Sequence, residues 1–371
     1  MTGAPDAQRT PAAPASTPQT EVGTAAARTG PATTVTAVIV SYDESPQEIR
    51  AAVESMLGQT RALAEVLVID NGVRGEAFAA SLADYGETVK VIDAGSNIGY
   101  APAINLAAAR GSGDYMLTLN PDAHAEPQCV ERLAAVADAD PQILLVGAQI
   151  LLDDGVTRNA GANPLHPTGI SPAGGYGEPR ESGAPRDVAV VSGACCMMRR
   201  EAFLALGGFV DEFFLFYDDP DMGWRALIAG MRVVYCPDAI AVHGYEFSRR
   251  EGEKWFLLER NRGFSVLTNY ESRTLVLLAP LLVATELGLL AVAAYGGWLS
   301  QKLRSYRALF GLRKRILEQR RAVQATRRRS DLEVLGHFDV RLDSALLPPP
   351  GPALANAVWV PYMWLVRLLL R

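Results

Sequence analysis

From Val35 onward, short unbroken apolar runs alternate with longer Ala-rich segments whose apolar residues recur at helical spacing. The runs TAVIVSY, EVLVIDN, TVKVIDA and DYMLTLN predict four buried strands. Between them the spacing predicts helices over SPQEIRAAVESML, over the stretch ending near Tyr85, and over APAINLAAARG, which stops at Gly111. Ser45 is placed to cap the first helix, with Pro46 at its first turn. Strand, helix, strand at this interval implies parallel strands joined by right-handed crossovers, hence an α/β layer structure.

Beyond residue 153 the pattern loosens. Residues 153–187 are rich in Gly, Pro and Asn and predict a long loop. VAVVSGACCMMRR predicts one central strand, REAFLALGGF a short helix ended by Gly207 and Gly208, DMGWRALIAG a helix, MRVVYCP a strand, and Lys254 to Tyr270 a further helix. The expected boundaries are a disordered Ala/Pro/Thr-rich leader over 1–33, a catalytic domain over 34–271 and a helical region over 272–371.

Composition narrows the class. With 371 residues, 49% of them hydrophobic, the chain can bury a large core. A net charge of −6 gives no reason to expect a nucleic-acid partner. Cys129, Cys195, Cys196 and Cys236 form no C-x-x-C pair, so they predict buried thiols in a reducing compartment. The leader has no apolar core of the kind a signal peptide needs, and the folded part is expected to stay in the cytoplasm.

Ligands of such sheets bind beyond the carboxyl ends of the strands. Asp43, Asp70, Asn71, Asn97, Asn120 and Asp122 fall there, a row of carboxylates and amides on one rim. No G-x-G-x-x-G follows the first strand and no P-loop motif occurs, so neither a dinucleotide fold nor a P-loop nucleotide site is supported. Asp122, in LNPDA, is expected on a strand-to-helix connection, where a carboxylate can hold Mg²⁺ or Mn²⁺. His243 is the candidate second ligand. Asp70 can accept from a pyrimidine ring N–H, or can serve a purely local turn. In FFLFYDDPDMGW the apolar neighbours would raise a carboxylate's pKa toward that of a general base. Asp218 and Asp221 share a helix face at i, i+3 spacing, with Asp219 pointing elsewhere.

In family order, VIVSYDE, VLVIDNG, NIGYAPAIN, LNPDA, VVSGACCMMRREAF, GGFVDEFFLFYDDPDMGWR and VHGYEFS make the chain resemble the family 2 glycosyltransferases of GT-A fold, close to bacterial rhamnosyl- and galactofuranosyl-transferase-like enzymes. The resemblance runs from about Val35 to Tyr270 and implies a mixed sheet flanked by helices, a nucleotide-sugar donor and an inverting single displacement. By that resemblance Tyr42, Asp43, Asp70, Asn97, Gly99, Asn105 and Asn120 would serve the donor, and Asp122 and His243 a divalent metal. Asp219 would be the catalytic base, with Asp218 as the other candidate, and Ser192, Gly193, Asp221, Trp224 and Arg225 would lie on the acceptor side. Two positions depart from the pattern: Asn120 stands where many relatives begin a D-x-D motif, and Asp43 stands where Asn is frequent.

The tail separates two readings. Thr274 to Leu299 is long and apolar enough to cross a bilayer but contains Pro280 and Glu286, and a strongly basic segment follows. A single crossing would put those cations on the wrong side of the membrane from the nucleotide-using domain, so a re-entrant or interfacial hairpin on the cytoplasmic face is expected. There the basic helix would lie on anionic headgroups near a lipid-linked glycan or other cell-envelope acceptor, with ALANAVWVPYMWLVRLLLR inserted beside it. The other reading makes both apolar stretches core helices or a dimer interface. A non-catalytic glycan-binding scaffold and a sugar-phosphate nucleotidyltransferase are the rival functions; the latter would want a Gly-rich, basic loop where SYDESPQ stands.

Overall fold

The β-branched runs become strands because each is buried on both faces. β1 (Val35–Ser41), β2 (Glu65–Asp70) and β4 (Tyr115–Leu119) are buried along their whole length, while β3 (Val89–Asp93) lies at the edge and is half-exposed. The computed structural model describes residues 33–72, 74–244, 251–341 and 351–371. The predicted leader lies outside these except for Thr33, as do residues 245–248 of the VHGYEFS motif. Helix α1 (Pro46–Leu57) starts as expected, with the Ser45 hydroxyl accepting from Glu48 N at 3.3 Å while the Glu48 carboxylate accepts from Ser45 N at 2.7 Å. Helix α2 (Gly75–Ala80) is shorter than predicted, a 3₁₀ turn carrying the chain on to Thr88. Helix α3 (Tyr100–Arg110) ends against Gly111.

Residues 123–152, which the sequence reading passes over, supply β5 (Ala123–Ala125), α4 (Cys129–Ala139) and β6 (Ile143–Leu151). The 153–187 stretch holds only short pairings, β7 (Arg158–Ala160), β8 (Ala162–Asn163) and β9 (Arg186–Asp187). The expected single strand at 188–200 is two, β10 (Val190–Val191) and β11 (Cys195–Arg199), parted at Ser192–Ala194 where the chain leaves a small side sheet for the main one. Then follow α5 (Arg200–Ala205), α6 (Asp218–Ile228) and β12 (Arg232–His243).

The main sheet runs β3-β2-β1-β4-β11-β6-β12-β5, with β7 beside β6 and β9 beside β12. β3, β2, β1 and β4 are mutually parallel, as the crossovers predict, and β11 is antiparallel to both β4 and β6. This makes a mixed sheet with helices on both faces, the expected class. One core lies under α1 and α4, the other under α3, α5 and α6. A buried Ile such as Ile39 contributes roughly 2 kcal/mol to that packing.

After β12 the chain is helical: α7 (Glu251–Asn269), α8 (Ser272–Tyr295), α9 (Leu299–Gly311), α10 (Arg313–Thr326), α11 (Asp331–Val334) and α12 (Gly351–Leu370). Their inner faces join Trp224, Leu227 and Tyr270 in a third core with Leu278, Leu281 and Met363. The acid in α8 is turned inward. Glu286 meets Arg262 and accepts from Lys302 at 2.6 Å and from the Tyr306 hydroxyl at 2.6 Å, while Glu259 bonds the same Lys302 and holds Arg262 at 2.8 Å. The opposite face of α8 is apolar and exposed, Val276, Val283 and Leu287 each by more than half. Both α8 and α12 are long and apolar enough to cross a bilayer, and 17% of each apolar window is buried, which is little for a core helix.

Lys302 is buried with two acids and one other cation, so removing it leaves excess negative charge inside. Lys302→Met is expected to cost about 3–5 kcal/mol of stability, read as a fall in the denaturant midpoint, with the far-ultraviolet spectrum unchanged before unfolding.

Candidate active site

Asn120, Asp122 and His243 come together at the carboxyl end of β4. β5 pairs with β12 so that Ala123 faces His243, which sets Asp122 Oδ1 3.0 Å from His243 Nε2 and Asn120 Nδ2 3.3 Å from the same nitrogen. The tight turn matters here. Asp122 lies between two strands rather than before a helix, because Asn120 O accepts from Ala123 N and the chain goes straight into β5. Asp122 is exposed; His243 is buried, with its backbone oxygen held by Asn159 Nδ2 at 3.0 Å. A carboxylate oxygen beside an imidazole nitrogen is a donor pair suited to Mg²⁺ or Mn²⁺, and two ligand atoms on adjacent corners of an octahedron with ligands at roughly 2.1 Å stand about 3 Å apart. Among the described residues no third His, Cys, Asp or Glu joins them.

The second cluster is the acidic start of α6. The break between β10 and β11 turns Gly193 toward it, and Gly193 N donates to Asp219 Oδ2 at 3.2 Å. The Gly193 oxygen is fixed in turn by Thr118 Oγ1 at 3.1 Å and the Tyr100 hydroxyl at 3.3 Å. A side chain on Gly193 would begin 3.7 Å from Asp219 Cβ and 4.0 Å from Asp218 Oδ2, so this glycine leaves open the space above both carboxyls. Burial pushes the Asp219 carboxyl up to about 6, the bond from Gly193 holding it back. Burial and the neighbouring Asp219 charge push Asp218 to about 8. The pair therefore carries one negative charge at neutral pH, and the Gly193 N–H favours its resting on Asp219. The clusters meet through adjacent residues, since Asn120 N bonds Ala194 O at 2.9 Å while Gly193 N bonds Asp219. Ser192 leads into the same segment, nine-tenths buried.

The run before Asp218 is strained. Phe214, Phe216 and Tyr217 all have positive φ, a conformation costing non-glycine residues roughly 1–3 kcal/mol each. Phe214 centres a γ-turn, with φ 63° and ψ −57° and Leu215 N donating to Phe213 O at 2.6 Å. The Phe214 oxygen accepts from Tyr100 N at 2.5 Å, and Gly99, at φ 90°, is required because a Cβ would lie 2.5 Å from Phe214. Gly99 thus serves a close backbone contact with the γ-turn. Phe214, Leu215 and Phe216 then wall a cleft of about 350 Å³ with Tyr42, Asp43 and Asn97 on the rim and Glu253, Lys254 and Leu257 from α7.

Five expected site residues are used inside the protein instead. Asp70 is 1% exposed and accepts from the N–H groups of Gly72, Arg74 and Gly75 and from Arg74 Nε, which fills a carboxylate's four acceptor positions and leaves the local-turn reading in place of the base contact. Asn105 ties α3 to the loop after α5 through Phe209 N, Phe209 O and Asp211. Asp221 faces away from the cleft, accepting from Arg225 Nε at 2.6 Å, Ser265 Oγ at 2.7 Å and Asn269 Nδ2 at 3.1 Å. Arg225 also bonds Leu206 O and Gly208 O, and Trp224 is fully buried against Tyr270 and Phe338. Both side chains are enclosed in the core. Lys254 and the γ-turn were not anticipated; the only sequence signal was Arg-Asn-Arg at 260–262, polar residues within an otherwise packed helix.

A glycosyl transferase family 2 model matches residues 36–207. The chain is 30% identical over 223 residues, 57% of its length, to the O-antigen biosynthesis protein RfbC of Myxococcus xanthus, the match spanning 17% of that protein. It is 28% identical over 231 residues to the N-acetylglucosaminyl-diphospho-decaprenol L-rhamnosyltransferase of Mycobacterium tuberculosis, covering 56% of this chain and 74% of that one. The crystal structure of GalNAc-T7 with UDP, GalNAc and Mn²⁺ superposes with a TM-score of 0.54 at 16% identity, over 65% of this chain and 49% of the other. With the mixed sheet and the rim geometry, these matches identify residues 36–207 as a glycosyl transferase family 2 domain of GT-A fold, similar in sequence to the rhamnosyltransferases.

Proposed function

We propose that the protein transfers a sugar, with inversion, from a UDP- or dTDP-linked donor to a saccharide carried on a membrane lipid, with Asp219 as general base and Asp122 and His243 holding a divalent cation. The observation that carries this reading is the double use of residues 193–194, whose backbone bonds the Asp219 carboxylate on one side and the Asp122–His243 turn on the other. A base and a cation site on the two ends of one short segment suit an in-line displacement. Asp219 would take the acceptor hydroxyl proton as that oxygen bonds the anomeric carbon and the bond to the diphosphate oxygen breaks. A divalent cation bound at Asp122 and His243 would neutralise charge on the departing nucleoside diphosphate. Asp219 rather than Asp218 is the base because it is the one ionised at neutral pH and still basic enough to accept a proton. Tyr42, Asp43 and Asn97 border the cleft that would receive the nucleoside.

A lipid-linked acceptor is supported by the name of the M. tuberculosis relative, which specifies a decaprenol-linked substrate, and by the outward faces of α8 and α12, where Val283, Leu287, Leu354, Val358 and Trp364 are each more than half exposed. Basic α10 follows in the chain. The enzyme would then rest on the cytoplasmic face of the membrane, where sugar nucleotides are made.

Release of UDP or dTDP from a panel of sugar nucleotides tests the base. Asp219→Asn is expected to lower kcat by about 10²–10⁴-fold while UDP still shifts the melting temperature. In the unsubstituted enzyme, the ionised base is lost as pH falls, so kcat/KM should drop about tenfold per pH unit below about 6. Full activity of Asp219→Asn would refute the assignment. For the cation, stripping with EDTA should abolish turnover and Mn²⁺ restore it, and Asp122→Ala should raise the Mn²⁺ concentration needed by at least about tenfold; an EDTA-resistant rate would exclude the metal. For the membrane, the intact chain is expected to float with phosphatidylglycerol vesicles, and Val283→Asp with Leu287→Asp to reduce that fraction several-fold without changing the melting profile. Equal flotation of both would leave the stripe without this role.

A further inference from the structure

We infer that Asn261 of α7 is a positioning residue for the transfer reaction, acting as the clamp that holds the 213–217 backbone in the form that presents Asp219 to Gly193. The inference rests on the reading of Asp219 as base. Asn261 is fully buried, and its one amide nitrogen lies 3.1 Å from Phe213 O, 3.1 Å from Leu215 O and 2.8 Å from Phe216 O. These carbonyls belong to the γ-turn and to the residues around it. A γ-turn turns successive carbonyls the wrong way for any helix or sheet partner, so buried acceptors accumulate there and need a donor from outside. Asn261 supplies it.

Its neighbour adds to the grip, as Arg260 Nη2 donates to Glu212 O at 2.5 Å and to Phe213 O at 2.9 Å. The far end of the strained run is fixed separately, through the Tyr217 hydroxyl to Gly169 O at 2.5 Å. With three positive-φ residues in four, the run has no reason to stay in this form unaided. Released, it would relax toward ordinary φ and carry the first turn of α6 with it, and Asp218 and Asp219 stand on that turn. A shift of about 1 Å there is enough to cost a reaction of this kind some 10²-fold.

Full-length Asn261→Ala, Arg260→Met, Asp219→Asn and the double variant Asn261→Ala/Phe214→Gly test the clamp. The assays are melting, UDP-induced thermal shift in Mn²⁺, and turnover of UDP- and dTDP-sugars across pH 5–9. Asn261→Ala is expected to keep a cooperative melt and the UDP shift, to lose about 10–100-fold in kcat with KM changed less than about threefold, and to move the acid limb of its pH profile downward as Asp219 gains water. Arg260→Met should lose less, by about 3–10-fold. Glycine occupies positive φ without penalty, so Phe214→Gly in the Asn261→Ala background should restore part of the lost kcat. A folded Asn261→Ala with kcat within twofold of the parent and an unmoved acid limb overturns the clamp while an inactive Asp219→Asn keeps the base. An active Asp219→Asn overturns both. If Asn261→Ala does not fold, Arg260→Met decides, and its unaltered kcat and pH profile overturn the proposal.

Discussion

Two carboxyl groups lie side by side with no cation paired to them among the described residues, and the site is organised around that constraint. Asp218 is nearly closed off from water and Asp219 half-buried, and their pKa values rise because burial opposes charge, and Asp219's charge opposes Asp218's. The chain knows how to do the opposite. Glu65, closed off from water at the other end of the strands, would be raised by burial, but bonds from Lys90, Ser112 and Thr36 hold it down at about 2. Glu65 is neutralised by its surroundings and only supports the sheet. Asp219 receives one N–H from outside its own helix, that of Gly193, enough to orient it and too little to quench it.

That economy is possible because stronger polar groups are used elsewhere, as props. Asp70 shapes the turn after β2, Asn105 ties α3 to the loop after α5, Asp221 locks α6 to α7 with Arg225, and Asn261 steadies the γ-turn. Asp70, Asp221 and Asn261 are buried and Asn105 is half-buried, and the bonds of each are met within the fold. The residues left at the rim, Tyr42, Asp43, Asn97 and Asp122, are the exposed ones.

This division explains how far the sequence could be read. β1 to β4 and their crossovers were legible because apolar runs of strand length sat between helices with capping residues, Ser45 above all. The acidic run was legible from composition and motif register. Residues 123–152 were passed over, although ILLVGAQIL is as apolar as the strands that were found. Asp70, Asn105 and Asp221 look in sequence like the residues exposed on the rim. What separates them is whether a nearby backbone fills their acceptor positions, a fact of three-dimensional geometry that type and spacing do not encode. The γ-turn was invisible for a related reason, since Phe, Leu, Phe and Tyr carry none of the glycine or asparagine that usually announces positive φ.

Glu286 has a mechanical consequence. A lone apolar helix can roll about its axis, but α8 is keyed by its single acid to Arg262 and Lys302, like a shaft pinned in a gear. Its exposed stripe therefore points one way only relative to α7, whose opposite end walls the cleft. Whatever surface that stripe settles on, the cleft must open at a fixed height and tilt above it.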